Sequence, residues 1–172
     1  MRSRTQRSFL ILAASAVCLF LLACAGPQSL PPRDPLVPIH LAEPEWQGRL
    51  SVVVYNTPSQ AMGANFLLRG SAANGALDLY SPLGTTLAAV RWSPGSVVWL
   101  QGSSEQRFDT LAALTRHATG AALPVTTLFD WLQGLPTSTP GWQADLSALH
   151  NGLLIAKRTS PLPEVVLRLK LD

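Results

Sequence analysis

From Trp46 onward, apolar and polar residues alternate with a period of two. In RLSVVVY, Leu50, Val52 and Val54 share one face and Arg49, Ser51 and Val53 the other, because successive side chains of a strand point to opposite sides. MGANFLLR groups Met62, Ala64, Phe66 and Leu68 opposite Asn65 and Arg69, and ALDLY sets Leu77 and Leu79 against Asp78 and Tyr80. TLAAVRW and SVVWLQG continue the series, punctuated by Ser93-Pro94-Gly95 and Gly102-Ser103-Ser104, and QRFD supplies a further short strand. Short strands at hairpin spacing predict a meandering antiparallel sheet.

The period then changes. Asp109 or Thr110 can cap TLAALTRHATG, with Leu111 and Leu114 on one face and Gly120 as the stop. A second helix starts at Pro124 and runs through VTTLFDWLQ. Val125, Leu128, Phe129 and Leu132 form its apolar stripe at i, i+3, i+4 and i+7. Strands resume with WQADLS, GLLIAKR and EVVLRLKLD, and there is no internal repeat. The fold class is therefore mainly β (α+β): a curled antiparallel sheet with two helices over one opening. Val52, Val54, Phe66, Leu68, Leu77 and Leu79 face inward in this register, and a one-residue slip would present their neighbours instead. Periodicity does not decide whether the interior is filled or hollow.

Residues 1–23 stand apart. Arg2, Arg4 and Arg7 precede FLILAASAVCLFLLA, and Cys24-Ala25-Gly26 follows. A basic start, a short apolar run and small residues at the cut describe a secretory signal; a bilayer-spanning helix needs about 20 apolar residues. Removing the signal changes the charge balance. Three of the 13 basic residues leave with it, so 10 remain against 10 acidic ones. The high overall pI thus belongs to the signal and gives no support to a nucleic-acid partner. Residues 24–44 (from Pro27, PQSLPPRDPLVPIHLAEP) read as a proline-rich tether, which leaves residues 45–172 as one domain.

Signatures of catalysis are missing from the sequence. His40, His117 and His150 are scattered without metal-ligand spacing and read as solvated. There is no nucleophile elbow, no P-loop and no dinucleotide fingerprint. Asp78, Asp109, Asp130 and Asp145 read as solvated or capping residues, although a carboxylate pair meeting only in space would suit a hydrolase. Trp46, Trp92, Trp99, Trp131 and Trp142 are expected to fill a core or line a cavity. Neither a catalytic residue, a metal nor a cofactor is expected.

One turn is unusual. Ser81-Pro82-Leu83-Gly84 fits a type I turn, with Ser at the first place, Pro at the second and Gly at the fourth. Leu83 then sits at the apex, where Asn, Asp, Gly or Ser would be ordinary.

That turn belongs to a wider set. LLAC ending at Cys24 resembles a lipobox, and W-x-G-R at Trp46–Arg49 and F-x-L at Phe66–Leu68 follow. Next come LYSPLGTTLA at 79–88, GAALPVTTLFDWLQGLP at 120–136 and Gly141-Trp142. In this order they resemble the LolB family of outer-membrane lipoprotein receptors over most of the mature domain. The resemblance implies an unclosed antiparallel β-barrel with helices covering its mouth and an apolar cavity inside. It implies acyl groups on Cys24, with Ala25 after it suited to outer-membrane sorting, and a domain that faces the periplasm of a Gram-negative bacterium. It implies that lipoprotein cargo is accepted from the periplasmic carrier LolA and inserted into outer-membrane lipid, by a non-enzymatic monomer. Pro82, Leu83 and Gly84 would then form the membrane-insertion loop, and Val52, Val54, Phe66, Leu68, Leu77, Leu79, Leu128 and Trp131 the cavity lining. The stretch after Trp142 is shorter than in many relatives, so the last hairpins are expected to be trimmed. The competing expectation is a scaffold or envelope-assembly lipoprotein with a filled core.

Overall fold

A computed structural model describes residues 43–172; the signal, Cys24, His40 and nearly all of the tether fall outside them. The chain forms β1 (Glu45–Tyr55), β2 (Gln60–Gly70), β3 (Gly75–Tyr80), β4 (Thr86–Ser93), β5 (Ser96–Gln101) and β6 (Ser104–Phe108). Helices α1 (Leu111–Thr119) and α2 (Val125–Leu132) follow, then β7 (Trp142–Asp145), a 3-10 turn (Leu149–Asn151), β8 (Leu153–Arg158) and β9 (Glu164–Leu171). All strands join one antiparallel sheet in the order β6-β5-β4-β3-β2-β1-β9-β8-β7. The architecture is the open, mainly β arrangement that the alternation predicts, with two helices packed on the apolar core.

The join between β1 and β9 makes a single sheet of two meanders. Leu50 lies opposite Leu169, Val52 opposite Leu167 and Val54 opposite Val165. Three successive inward positions on β1 thus meet an aliphatic partner across the ladder, which fixes the register. Gly48 lies in this ladder at φ 148°, and a Cβ there would collide with the Lys170 carbonyl oxygen.

The helices are set by their ends. Thr110 caps α1, its Oγ1 accepting from the Ala113 N–H at 3.1 Å, and Gly120 stops it at φ 78°. Helix α2 starts one residue later than the proline suggests: Pro124 is its cap, and its carbonyl accepts from the Leu128 N–H. Phe129 of α2 packs edge-on against Trp46 of β1 at 5.6 Å and Trp92 of β4 at 6.1 Å between ring centroids.

One polar expectation needs correction. Asp78 is not solvated but 6 % exposed. Its carboxylate lies between Arg69, at 2.7 Å, and Arg91, at 2.5 Å, on the sheet face away from the core. The two arginine stems cover it. His117 is exposed, as expected, but one side of its ring lies 5.4 Å from both Trp99 and Phe108. Helix α1 docks on β5 and β6 there, so the imidazole serves as packing surface.

Candidate functional site

Inside the curve of the sheet lies a cavity of about 240 Å³, bordered by strands β1 to β5 and by α1. Leu50 and Val52 of β1, Leu77 and Leu79 of β3 and Trp99 of β5 all reach it. On a flat sheet β1 and β5 would lie about 19 Å apart, four strand spacings. Bordering one cavity of this size requires the sheet to wrap. A second hollow of about 90 Å³ shares Leu50, Val52, Leu77, Thr115 and Leu123 with the first and continues under α2 toward Leu128, Leu167 and Leu169.

The lining is mostly apolar: Gln101 stands at its exposed edge, and the two threonines of α1 already have hydrogen-bond partners. Thr115 Oγ1 donates to the Ala112 carbonyl at 3.3 Å and accepts from the Leu123 N–H at 3.0 Å. Thr119 Oγ1 donates to the Thr115 carbonyl at 2.8 Å and accepts from the Ala121 N–H at 3.3 Å. These bonds also tie the end of α1 to the linker before α2. Satisfied hydroxyls offer little to water, so the space suits hydrocarbon rather than a hydrated ligand.

Val52, Phe66, Leu68, Leu77, Leu79 and Leu128 each border one or both hollows. Val54 lies beside them in a separate cleft with Gln60 and Thr119. Trp131 borders neither: it is 1 % exposed and its indole N–H donates to the Thr137 carbonyl at 2.9 Å. Leu50, Trp99, Thr115, Leu123, Leu167 and Leu169 are among the other lining residues. Leu50 shares the parity of Val52 and could have been named from it, whereas nothing in the sequence marks Thr115.

At the β3–β4 turn the Gly84 N–H donates to the Ser81 carbonyl at 2.9 Å, and Ser81 and Thr85 close the loop at 2.8 Å. Gly84 has φ 83° and no other residue in the described chain except glycine has positive φ. This is a type I turn followed by a left-handed glycine, a compact three-residue hairpin connection. Leu83 at its apex is 94 % exposed. Asn65 of β2 braces the base through the Ser81 carbonyl at 3.4 Å.

A larger groove of about 610 Å³ lies across β2, β1 and β9, reaching Pro82. Arg49, Ser51, Asn65, Arg168 and Lys170 border it from outward strand positions. It is a shallow cationic surface and, despite its size, a poor match for a hydrocarbon ligand. Arg158, buried on β8, stacks over Trp142 at 5.7 Å and donates to the carbonyls of Ala122 and Pro163. Burial, together with repulsion from Arg116, pushes its pKa down. It fastens the sheet to the linker between the helices. Among the described residues no group of three His, Cys, Asp or Glu could hold a metal.

The family model described as outer membrane lipoprotein LolB matches residues 44–160, which include the sheet through β8, both helices and the Leu83 turn. The chain belongs to the LolB family. It is similar to the outer-membrane lipoprotein LolB of Bordetella petrii, with 31% identity over 91% of this chain and 88% of the relative. The LolB of Chromobacterium violaceum is 32% identical over 79% of this chain and 73% of its own length. That of Ralstonia nicotianae is 38% identical over 58% and 47%. As a LolB protein the chain is an outer-membrane lipoprotein with a role in lipoprotein sorting, a transport function rather than an enzymatic one.

Proposed function

We propose that this domain accepts lipoproteins from the periplasmic carrier LolA, holds their acyl chains in the apolar hollow and releases them into the outer membrane at the Leu83 turn. In this reading residues 1–23 are removed as a signal, Cys24 carries the lipid anchor, residues 24–44 are a tether, and residues 45–172 do the work as a monomer. The observation that carries it is an apolar hollow, about 240 Å³ continuing into about 90 Å³, where a domain of this size could keep a solid centre.

The energetics require such a space. At about 0.8 kcal/mol per buried CH₂, a chain of roughly 14 methylenes represents on the order of 11 kcal/mol against exposure to water. Transfer therefore proceeds from cavity to cavity and then to bilayer without baring the lipid. The two hollows together lie near the lower end of the range of small-ligand sites, about 300–1,000 Å³. Taking in more than one chain then requires α1 and α2 to shift.

Leu83 serves the last step. Burying one leucine contributes about 1.5–3 kcal/mol, too little to hold a domain already anchored through Cys24 but enough to seat the turn among headgroups briefly. Leu83→Glu is expected to leave acceptance from the carrier unchanged and to lower release of cargo into vesicles by about tenfold or more. Release at the unsubstituted rate would refute the assignment of this turn.

A further inference from the structure

The exposed apolar side chains are unevenly distributed over the fold. Six large hydrophobic residues are exposed among the described residues: Tyr55, Leu83, Leu87, Leu100, Leu135 and Leu162. Single exposed aliphatics are ordinary, so their placement is what matters. Strands β1 and β3 are both antiparallel to β2, and β5 is antiparallel to β4, so β1, β3 and β5 run the same way. Tyr55 ends β1, Leu83 follows β3, and Leu100 is the penultimate residue of β5. Leu87 stands at the start of β4, on the return from the Leu83 turn. Tyr55 lies opposite Glu164, the first residue of β9, so the β8–β9 connection bearing Leu162 is at that end as well. Five of the six therefore gather at one end of the sheet, and only Leu135, after α2, does not.

Two of them are far more exposed than the rest. Leu83 is 94 % and Leu162 82 % exposed, against 51 % for Leu135, the next highest. Each stands at the tip of a connection with proline beside it: Pro82 before Leu83, and Pro161 and Pro163 on either side of Leu162. The connections at the other end are Ser71–Asn74, Pro94-Gly95 and the β7–β8 link, whose Leu146 and Leu149 pack against the core, so none of the three carries an exposed large apolar residue. Leu87 is also one of the residues bordering the 240 Å³ cavity, so the hollow reaches the same end.

We infer that this end of the sheet is a rim that meets the lipid bilayer at two points, with Leu162 as a second apolar tip paired with Leu83. The inference builds on the release role of the Leu83 turn and extends it to a residue outside the stretch matched by the family model, which stops at 160. Two separated tips fix the tilt of the domain as one cannot. They present the end of the hollow to the bilayer between them, so that a departing acyl chain enters lipid directly. The occupant of the rim is the bilayer itself. Aliphatic tips with neither charge nor a hydrogen-bonding group suit its interior and give a protein partner no polar register to read.

The test uses the acylated full-length protein in vesicles of phosphatidylethanolamine and phosphatidylglycerol containing brominated lipid. An environment-sensitive fluorophore is attached to Leu162→Cys, to Leu83→Cys or, as a control at the far end, to Ser93→Cys. Quenching at 162 and 83 but not at 93 is the expected result. Quenching at 83 alone overturns the second tip and leaves the Leu83 reading in place. Quenching at 162 alone supports the Leu162 contact and removes the Leu83 reading. Absence of quenching at both positions, or equal quenching at all three, overturns the rim. In cargo release, Leu162→Glu is expected to slow transfer severalfold with acceptance from the carrier unchanged. Leu162→Phe, which keeps an apolar tip, is expected to transfer at the unsubstituted rate. An equal loss in the Phe variant would mean that shape in the turn, rather than lipid contact, is what matters.

Discussion

Asp78 is the one buried carboxylate among the described residues, and two arginines from neighbouring strands close over it. Removing it would leave Arg69 and Arg91 facing each other with no anion between them. Because both arginine side chains keep over 40 % of their surface exposed, water screens much of that repulsion. Asp78→Ala is expected to cost about 1–3 kcal/mol in urea denaturation. Replacing Arg69 and Arg91 with glutamine in the same chain should recover part of the loss, and no recovery would rule out charge as the cause. The alternation of ALDLY placed Asp78 on the outer face but could not reveal its burial. Parity gives the side of a sheet; cover comes from cross-strand neighbours whose pairing is set elsewhere in the chain. The same limit hid the surroundings of His117, whose aromatic partners sit on strands packed against its helix.

At the scale of elements, Phe129 is the residue of α2 that joins it to the sheet through two indoles. Phe129 is 3 % exposed and bridges Trp46 and Trp92 from two strands. Phe129→Ala is expected to destabilise the domain by about 3–5 kcal/mol, since it leaves a void between two indoles that cannot close over it. A thermal melt moved by less than a degree or two would show that the helix is seated by other means. The stripe Val125, Leu128, Phe129, Leu132 was legible from helical spacing, as were the Thr110 cap and the Gly120 stop. Strand order was not. Nothing in β9 states that it pairs with β1 rather than with β6, and only the two sets of facing aliphatics make the choice. The hollow was legible in part for the same reason: Val52, Phe66, Leu68, Leu77 and Leu79 follow from parity, while Leu123 and Thr115 come from a linker and a helix that periodicity does not orient.

At the scale of the whole molecule, the family was readable because its turn and its second helix keep their residue types in order, whereas the volume within had no sequence signal. That volume makes a direct prediction. A fluorescent fatty acid should bind the full-length protein and be displaced by unlabelled palmitate. Leu77→Trp, which projects a larger ring into both hollows, should weaken that binding about tenfold or more, with stability changed by about 1–3 kcal/mol through overpacking. Unchanged affinity in a folded variant would place the bound tail somewhere else. The competing scaffold function predicts no displaceable binding in either protein.

The sheet ends in two short strands, β6 and β7, that do not pair with each other. A ring of strands has a circumference fixed by its hydrogen bonds and can admit a bulkier guest only by breaking some of them. Here the wall is left open between those two edges. The two edges can move apart with every rung of the ladder intact, so the same container can be sized to the load it carries.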